Sequence, residues 1–291
     1  MFDRHIPGVL RFHAPKADLV PVIFDSPHSG SLFPPDFGAV VPKARLREAE
    51  DAFVNDLYGV APAHGAVFLE ALFPRTYIDP NRAEHDMDPD TIDGTWSKPL
   101  TPGPKSSKVG SGLIWRTCHP NTAMYDRKMT VAEVKNRIET YYRPYREALR
   151  EAIDAVHSKF GQVWHVNCHS MPAISSDKSP EGRSGIERPE FILGDRSGKT
   201  CETDFTTFVG DELKRLGHQV VLNDPYNGGD LVVAYSNPTK GRHSLQIEIK
   251  RSLYMDETLT VPNGGFDGLQ RNLTKLVAAI CAYAQRRVRN A

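Results

Sequence analysis

Short apolar segments alternate with amphipathic helical patterns along most of this chain, and that alternation restricts its possible folds more than any other feature. Residues 19–25 (LVPVIFD) suit a strand that is buried on both faces, as in a sheet covered by helices. Residues 43–59 carry the helical period instead. The pattern predicts an α/β fold, a single three-layer domain over residues 1–291 with a central, mostly parallel or mixed sheet and helices on both faces. Further strands are predicted at 66–73, 75–79, 162–167, 191–195, 218–223 and 244–250, and further helices from 130, near 205–213 and from 267.

The composition limits the classes of partner. A chain of 291 residues with 40% hydrophobic residues can bury a substantial core. Basic and acidic residues balance to a formal net charge of zero, and no basic stripe favours nucleic acid or a membrane surface. The four cysteines are scattered without a C-x-x-C pair, and the N-terminal residues lack an apolar signal segment. We therefore expect a cytoplasmic protein that acts on a small molecule.

The segment 86–129 differs from the rest of the chain. It is rich in proline, glycine and lysine and lacks a clear helical or strand period. Loops of this length in compact domains are usually functional or disordered. We expect this segment to form a lid over a binding pocket.

Polar side chains with chemical potential follow several predicted strands. His28 comes just after the first strand, Asn81 follows another, and His169 comes after a third. Glu248 lies inside a strand among apolar residues, where a carboxylate is costly unless it is paired, hydrogen-bonded or metal-bound. Since ligand sites in α/β sheets lie at the carboxyl ends of the strands, these residues predict one shared site.

Two histidines from strand ends and one carboxylate make the three-ligand, open site that catalytic zinc uses, and the open position then holds a water of lowered pKa. A free carboxylate such as Glu248 is suited to accept a proton from that water. Manganese or iron would also fit such ligands. The residues alone leave ordinary roles open, with His28 and His169 as capping or surface histidines and Glu248 as a buried partner of Arg82 or Arg251.

Six sequence segments occur in a fixed order: SPHSG at 26–30, IDPNR at 78–82, CHSMP at 168–172, ILGD at 192–195, PYNGGD at 225–230 and QIEIKRSLYMDE at 246–257. Over nearly the whole chain they resemble the pattern of the N-formylglutamate amidohydrolase family. That family is similar to the zinc carboxypeptidases, with their phosphorylase/hydrolase-like fold, and to the succinylglutamate desuccinylase and aspartoacylase group. The resemblance implies a zinc-dependent hydrolase that removes a small acyl group from the nitrogen of an acidic amino acid, above all N-formyl-L-glutamate.

The resemblance also implies a metal site. His28 and His169 match the family's histidine ligands. The H-x-x-E spacing of the carboxypeptidases is absent after His28, and the family's acidic position matches Asp51 instead, with Glu50 beside it as the alternative. Zinc held there would polarise the amide carbonyl and activate water, and Glu248 would act as the general base.

A carboxylate clamp is implied at Asn81 and Arg82, because a guanidinium forms paired hydrogen bonds to a carboxylate and an amide can add another. Arg75 is expected to stabilise the oxyanion. Two further sets are open: Ser29, Ser170 and Gly229 as ligand or substrate contacts, and Arg75, Arg116 or Arg242 as the partner of a second substrate carboxylate.

Departures from the family pattern keep other functions open. Where many members have an acid before the C-H-S segment, this chain has Asn167, which can accept a hydrogen bond from a histidine ligand but supplies no negative charge. A related deacylase or carboxypeptidase with another acyl group or a peptide substrate is one alternative. A non-catalytic small-molecule-binding protein on the same fold is another.

Overall fold

An eight-stranded sheet forms the centre of the protein, whose computed structural model describes residues 4–118, 122–177 and 179–289. The strands are β1 (His5–Ile6), β2 (Leu10–His13), β3 (Val22–Ser26), β4 (Val67–Ala71), β5 (Ile92–Asp93), β6 (Thr117–Cys118), β7 (Thr122–Ala123), β8 (Met129–Thr130), β9 (Val163–Met171), β10 (Phe191–Gly194), β11 (Val220–Leu222), β12 (Arg242–Lys250), β13 (Met255–Asp256) and β14 (Val261–Pro262). The α-helices are α1 (Lys43–Arg47), α2 (Val54–Tyr58), α3 (Val131–Arg137), α4 (Arg143–Phe160), α5 (Thr203–Arg215), α6 (Asp230–Tyr235) and α7 (Phe266–Arg289).

The strands of the main sheet follow the order β1-β2-β4-β3-β9-β12-β10-β11. The four central strands β4, β3, β9 and β12 are parallel, whereas β2 runs antiparallel to β4 and β10 runs antiparallel to β12. The carboxyl ends of the central strands therefore meet at one edge of the sheet, where ligands bind in α/β folds. The predicted mixed, mostly parallel sheet is confirmed.

Helices cover both faces of this sheet. On one face, α2, α5 and α7 pack against buried side chains such as Phe24, Val166 and Ile247. On the other face, α4 packs Tyr145 and Leu149 against apolar residues of β3 and β4. Each fully buried side chain of this kind stabilises the fold by about 1.5–3 kcal/mol. The predicted three-layer α/β arrangement is confirmed, and none of the described helices is long and apolar enough to cross a membrane.

The predicted helix at 43–59 forms two short helices, α1 and α2, instead of one. Between them the chain leaves the helical path, and Phe53 adopts a left-handed conformation with φ of 64°. The backbone N–H of Asp51 donates to the carbonyl of His28 at 3.0 Å. This interruption therefore fixes Asp51 beside the turn that follows β3.

The predicted strand at 75–79 is wrong. The backbone N–H of Tyr77 donates to the carbonyl of Pro74 at 2.9 Å, which closes a turn, and that of Asp79 donates to the carbonyl of Leu113. The local hydrogen bonds of the turn replace those of a sheet ladder. The alternation of side chains reflects burial without a strand, because Tyr77 packs into the core and Asp79 is buried near the edge of the sheet.

The helical segment from Thr130 begins as predicted. The Thr130 side chain accepts from the backbone N–H of Glu133, and the Glu133 carboxylate accepts from the backbone N–H of Thr130, which is a capping box. A π-helical turn at Ile138–Tyr142 follows α3 and ends two residues before Pro144. Proline then lies in the first turn of α4, where its missing N–H costs little.

The turn after β3 has no room for a side chain at Gly30. A Cβ atom there would lie 2.4 Å from the backbone of Leu72 and Phe73. Because backbone would have to move, we expect Gly30→Ala to lower the free energy of unfolding by about 1–3 kcal/mol in urea titrations. Gly264→Ala is the control, since its Cβ would lie more than 4 Å from every neighbouring atom of the described residues. Equal stability of the two variants would contradict this account of the turn.

Residues 86–129 are not a plain surface loop. Leu113 and Ile114 are buried in the core, and a π-helical turn occupies Lys105–Val109. Lys105, Ser111 and Trp115 line the cavity at the carboxyl edge of the sheet. That this segment closes over a substrate stays a prediction, as does the assignment of the whole chain to one domain.

Candidate metal centre and active site

A cavity of about 460 Å³ lies at the carboxyl edge of the parallel strands. His28 follows β3, His169 lies near the end of β9, and Glu248 in β12 is directly in register with His169. Asp51 enters from the loop between α1 and α2. The fold thus brings together four residues that are up to 220 positions apart in the sequence, since 248 minus 28 is 220.

Three of these side chains converge on one point. His28, Asp51 and His169 are all buried, and each offers a ligand atom within 4.8 Å of the others. The Oδ2 atom of Asp51 lies 2.8 Å from Nδ1 of His169 and 3.4 Å from Nδ1 of His28. Buried groups that crowd in this way need a proton or a cation between them.

Asp79 sets the orientation of His28. The Nε2–H of His28 donates to Oδ1 of Asp79 at 2.7 Å, which leaves the Nδ1 lone pair directed at Asp51. That Nδ1 atom is buried and has no hydrogen-bond partner among the described residues. Burial acts to raise the pKa of Asp79, but Arg75 and His28 hold it well below its usual range. An ionised carboxylate behind a histidine is the arrangement that fixes the tautomer of a metal ligand.

Asn167 sets the orientation of His169. Its Nδ2 donates to Oδ1 of Asp25 at 2.8 Å, so its Oδ1 faces His169 and accepts from Nε2–H at 2.7 Å. Burial acts to raise the pKa of Asp25, but His165, Asn167 and Tyr145 lower it overall. Asp25 is therefore an anion one hydrogen bond behind the amide. The negative charge that Asn167 lacks is supplied from β3.

The donor set fits a divalent metal ion. Two imidazole lone pairs and one carboxylate oxygen converge, and the orphaned Nδ1 atom of His28 would gain a partner. Burial acts to raise the pKa of Asp51, but the neighbouring imidazoles of His169 and His28 hold it well below its usual range. Of the two acids considered from the sequence, Asp51 belongs to this group, whereas Oε2 of Glu50 accepts from Arg47 at 3.0 Å.

Glu248 lies beside this centre. It is 7% exposed and lines the cavity, and its Oε1 accepts from Nε2 of Gln246 at 2.8 Å. Burial raises the pKa of Glu248 to about 7. The alternative partners considered from the sequence are engaged elsewhere, because Arg251 donates to Asp51 and Arg82 donates to the carbonyl of Ser111. A carboxylate with such a pKa is suited to accept and return a proton near neutral pH.

Comparison with known proteins decides the family. The sequence pattern of the N-formylglutamate amidohydrolase family matches residues 20–255. The chain belongs to this family.

Relatives support the same assignment. A curated N-formylglutamate deformylase from Pseudomonas putida is 28% identical over 254 residues, 86% of each chain. The crystal structure of the N-formylglutamate amidohydrolase from Ralstonia eutropha JMP134 is 46% identical, covers 96% of this chain and 99% of its own, and superposes with a TM-score of 0.92. A gene product of Agrobacterium tumefaciens with 16% identity covers 97% of this chain and 96% of its own, with a TM-score of 0.60, and shows the fold alone.

Two arginines that were predicted from the sequence lie at the cavity. Arg75 donates to Oδ2 of Asp79 at 2.8 Å and stacks over Trp115, with its guanidinium 5.2 Å from the ring centroid. Arg82 lines the cavity, and its Nε donates to the carbonyl of Ser111 at 3.3 Å. Roles for Arg75 on an oxyanion and for Arg82 on a carboxylate stay predictions.

The side chain of Asn81 makes hydrogen-bond contacts within the protein itself. It lines the cavity and is buried, but its Oδ1 accepts from the backbone N–H of Leu231 at 2.8 Å. Its Nδ2 lies 3.1 Å from Nε2 of His169 and close to Gly229, where a Cβ would be 2.4 Å away. The amide thus packs one metal-site histidine against the loop that holds Gly229, and its predicted contact with substrate stays a prediction.

The predicted contact residues of this family member have different surroundings. The Ser29 hydroxyl donates to the carbonyl of Asp51 at 2.9 Å and so ties the two ligand loops together. The Ser170 hydroxyl lines the cavity and accepts from Nε of Arg251 at 3.1 Å. Gly229 also lines the cavity, and its N–H donates to Oε1 of Gln246 at 2.7 Å. Substrate contacts of Ser29, Ser170 and Gly229 stay predictions.

Two of the arginines considered for a second carboxylate lie outside the described cavity lining. Arg116 pairs with Asp88, and Arg242 pairs with Asp154 of α4 at 2.6 Å. Lys105 lines the cavity instead, although nothing in its lysine- and serine-rich surroundings singles it out in the sequence.

Proposed function

We propose that this protein is a zinc-dependent amidohydrolase that removes the formyl group from N-formyl-L-glutamate or a closely similar N-acyl acidic amino acid. The observation that carries the proposal is the convergence of His28, Asp51 and His169 beside the free carboxylate of Glu248. The family, with relatives named for the same reaction, supports it.

In this proposal His28, Asp51 and His169 hold one zinc ion. Zinc in such a site polarises a carbonyl and lowers the pKa of a bound water, and manganese or iron could serve in its place. Asp79 and Asn167 hold the two imidazoles in the tautomer that directs Nδ1 inward.

Glu248 carries the proton transfer. Its carboxylate accepts a proton from the water that attacks the amide carbon and returns it to the nitrogen of the leaving amino acid. Burial raises its pKa, which makes it a stronger base than an exposed carboxylate and suits a group that first accepts and then returns a proton. Arg82 binds the substrate α-carboxylate and thereby aligns the scissile amide, and Arg75 faces the oxygen on which negative charge develops.

The decisive experiment is hydrolysis of N-formyl-L-glutamate by the purified protein with and without a metal chelator. We expect turnover that the chelator abolishes and that added zinc restores. Absence of turnover by zinc-loaded, folded protein would refute the proposed substrate.

A larger substrate is a second candidate because the cavity adjoins another of about 950 Å³ that shares Glu48, Trp115 and Arg251 with it. That space could take a longer acyl group or a peptide. Parallel assays with N-formyl, N-acetyl and N-succinyl glutamate and with dipeptides would decide, since the true substrate should have the highest kcat/KM.

The proposed role of Asp79 is testable by metal binding. We expect Asp79→Asn to weaken zinc affinity by about 10- to 100-fold, because an amide no longer holds His28 as an anion would. Zinc affinity is measured by competition with a chromogenic chelator. Asp211→Asn, at an exposed position of α5, should leave affinity unchanged. Zinc binding by Asp79→Asn as tight as that of the wild type would exclude this role.

A further inference from the structure

More lysine and arginine side chains than carboxylates line the cavity. Five basic side chains line it, and two of them have carboxylates at hand: Arg75 pairs with Asp79, and Arg251 pairs with Asp51. No acidic group within the described ranges forms an ion pair with the other three, which are Arg82, Lys105 and Arg196.

Arg82 and Arg196 are held by uncharged groups. Arg82 donates to the carbonyl of Ser111, and Arg196 donates to Oδ1 of Asn227 at 3.0 Å and towards the carbonyl of Gly228. Neutral oxygens orient a guanidinium without neutralising it. Both charges therefore remain available to an anion in the cavity.

Lys105, which belongs to the segment 86–129, lines the same cavity. Its carbonyl accepts from the backbone N–H of Gly110, which closes the π-helical turn, and from that of Ser111 at 2.9 Å. Its Nζ lies 5.6 Å from the ring centroid of Tyr226, another cavity residue. The turn is packed tightly, because a Cβ on Gly112 would lie 2.3 Å from the hydroxyl of Ser106. A packed turn thus places Lys105 in the wall of the site.

Neighbouring positive charges make the surroundings of Lys105 favourable for a bound anion. Burial and then the charges of Arg82 and Arg75 lower its pKa to about 8, and Glu248 and Asp79 oppose this only in part. Bringing like charges together in a partly buried cavity is unfavourable until a negative group enters between them.

We propose that Lys105 is a specificity-determining residue that binds the side-chain carboxylate of the substrate, while Arg82 binds the α-carboxylate. This inference rests on the proposed function and adds to it the residue that selects a dicarboxylic amino acid. A substrate with a neutral side chain would leave the ammonium of Lys105 without its counter-charge, which is the kind of mismatch that gives strong discrimination.

The test compares N-formyl-L-glutamate with N-formyl-L-glutamine, which differ in side-chain charge but hardly in shape. We expect Lys105→Met to reduce the ratio of their kcat/KM values by about 10- to 100-fold, mainly through a higher KM for the charged substrate. Lys108→Met, an exposed lysine of the same turn, is the matched control and should keep the wild-type ratio. Lys105→Arg should keep most of the preference because it keeps the charge.

The outcomes separate this inference from the proposed function. If the wild type is active and Lys105→Met keeps the preference, or if both substrates lose equally, the role of Lys105 is wrong. If the wild type is inactive on N-formyl-L-glutamate, the proposed function fails. In that case the binding of glutarate and of butyrate is measured by calorimetry. The inference requires that the wild type prefers glutarate and that Lys105→Met loses this preference. A variant that keeps the preference overturns the inference.

Discussion

Replacement of Glu248 by glutamine is expected to lower kcat for N-formyl-L-glutamate by about 10²- to 10⁴-fold, the usual contribution of a general base. Glutamine keeps the size of the side chain and can still pair with Gln246, but it cannot accept a proton. Because His28, Asp51 and His169 are untouched, zinc content should remain that of the wild type. The measurement is kcat together with zinc per protein by mass spectrometry.

Folding of this variant should not be impaired. Burial raises the pKa of Glu248 from its ordinary value of 4.5 to about 7, so ionisation of the carboxylate disfavours the metal-free folded state as the pH rises from about 4.5 to about 7. Glutamine avoids that ionisation. Glu187→Gln, at an exposed site beside the end of β12, is the control. Turnover of Glu248→Gln within about tenfold of the control would exclude Glu248 as the base.

Replacement of His28 by alanine is expected to remove stoichiometric zinc and to reduce turnover to that of chelator-treated wild type. Structural zinc sites with four ligands bind with about 10–16 kcal/mol, so loss of one ligand should cost about 3 kcal/mol or more, at least 100-fold in affinity. The loss also leaves Asp79 without the imidazole that it orients. Zinc titration and the assay of N-formyl-L-glutamate hydrolysis measure both effects.

His5→Ala is the control for that experiment, because His5 is exposed on β1 at the edge of the sheet. Circular dichroism and thermal unfolding of the metal-free proteins should show that both variants fold. A folded His28→Ala protein that still binds one zinc with wild-type affinity would exclude His28 as a ligand.

Much of the site could be predicted because its polar residues stand directly after, or within, apolar segments that form strands. His28, His169 and Glu248 follow or interrupt apolar runs, and the carboxyl ends of parallel strands converge. Asp51 carries a weaker signal in the sequence, because His28 and His169 are 23 and 118 positions away from it. The choice between Asp51 and Glu50 depends on how the chain leaves α1, which the continuous helical period of 43–59 concealed.

Other features depended on contacts that no local pattern encodes. The strand predicted at 75–79 has suitable alternation, yet its backbone groups are satisfied by a turn and by Leu113 from the segment 86–129. The charge missing at Asn167 is supplied by Asp25, which is 142 positions away.

The sequence by itself determined the α/β class, the alternation of strands and helices, and the residue types at the strand ends, because burial on both faces and helical periodicity are local properties of the chain. Only the tertiary structure decided which carboxylate joins the two histidines, which anions stand behind them, and that Lys105 reaches the cavity with Arg82 and Arg196. These depend on contacts between loops that are far apart in the sequence, and no local pattern of residues encodes such contacts.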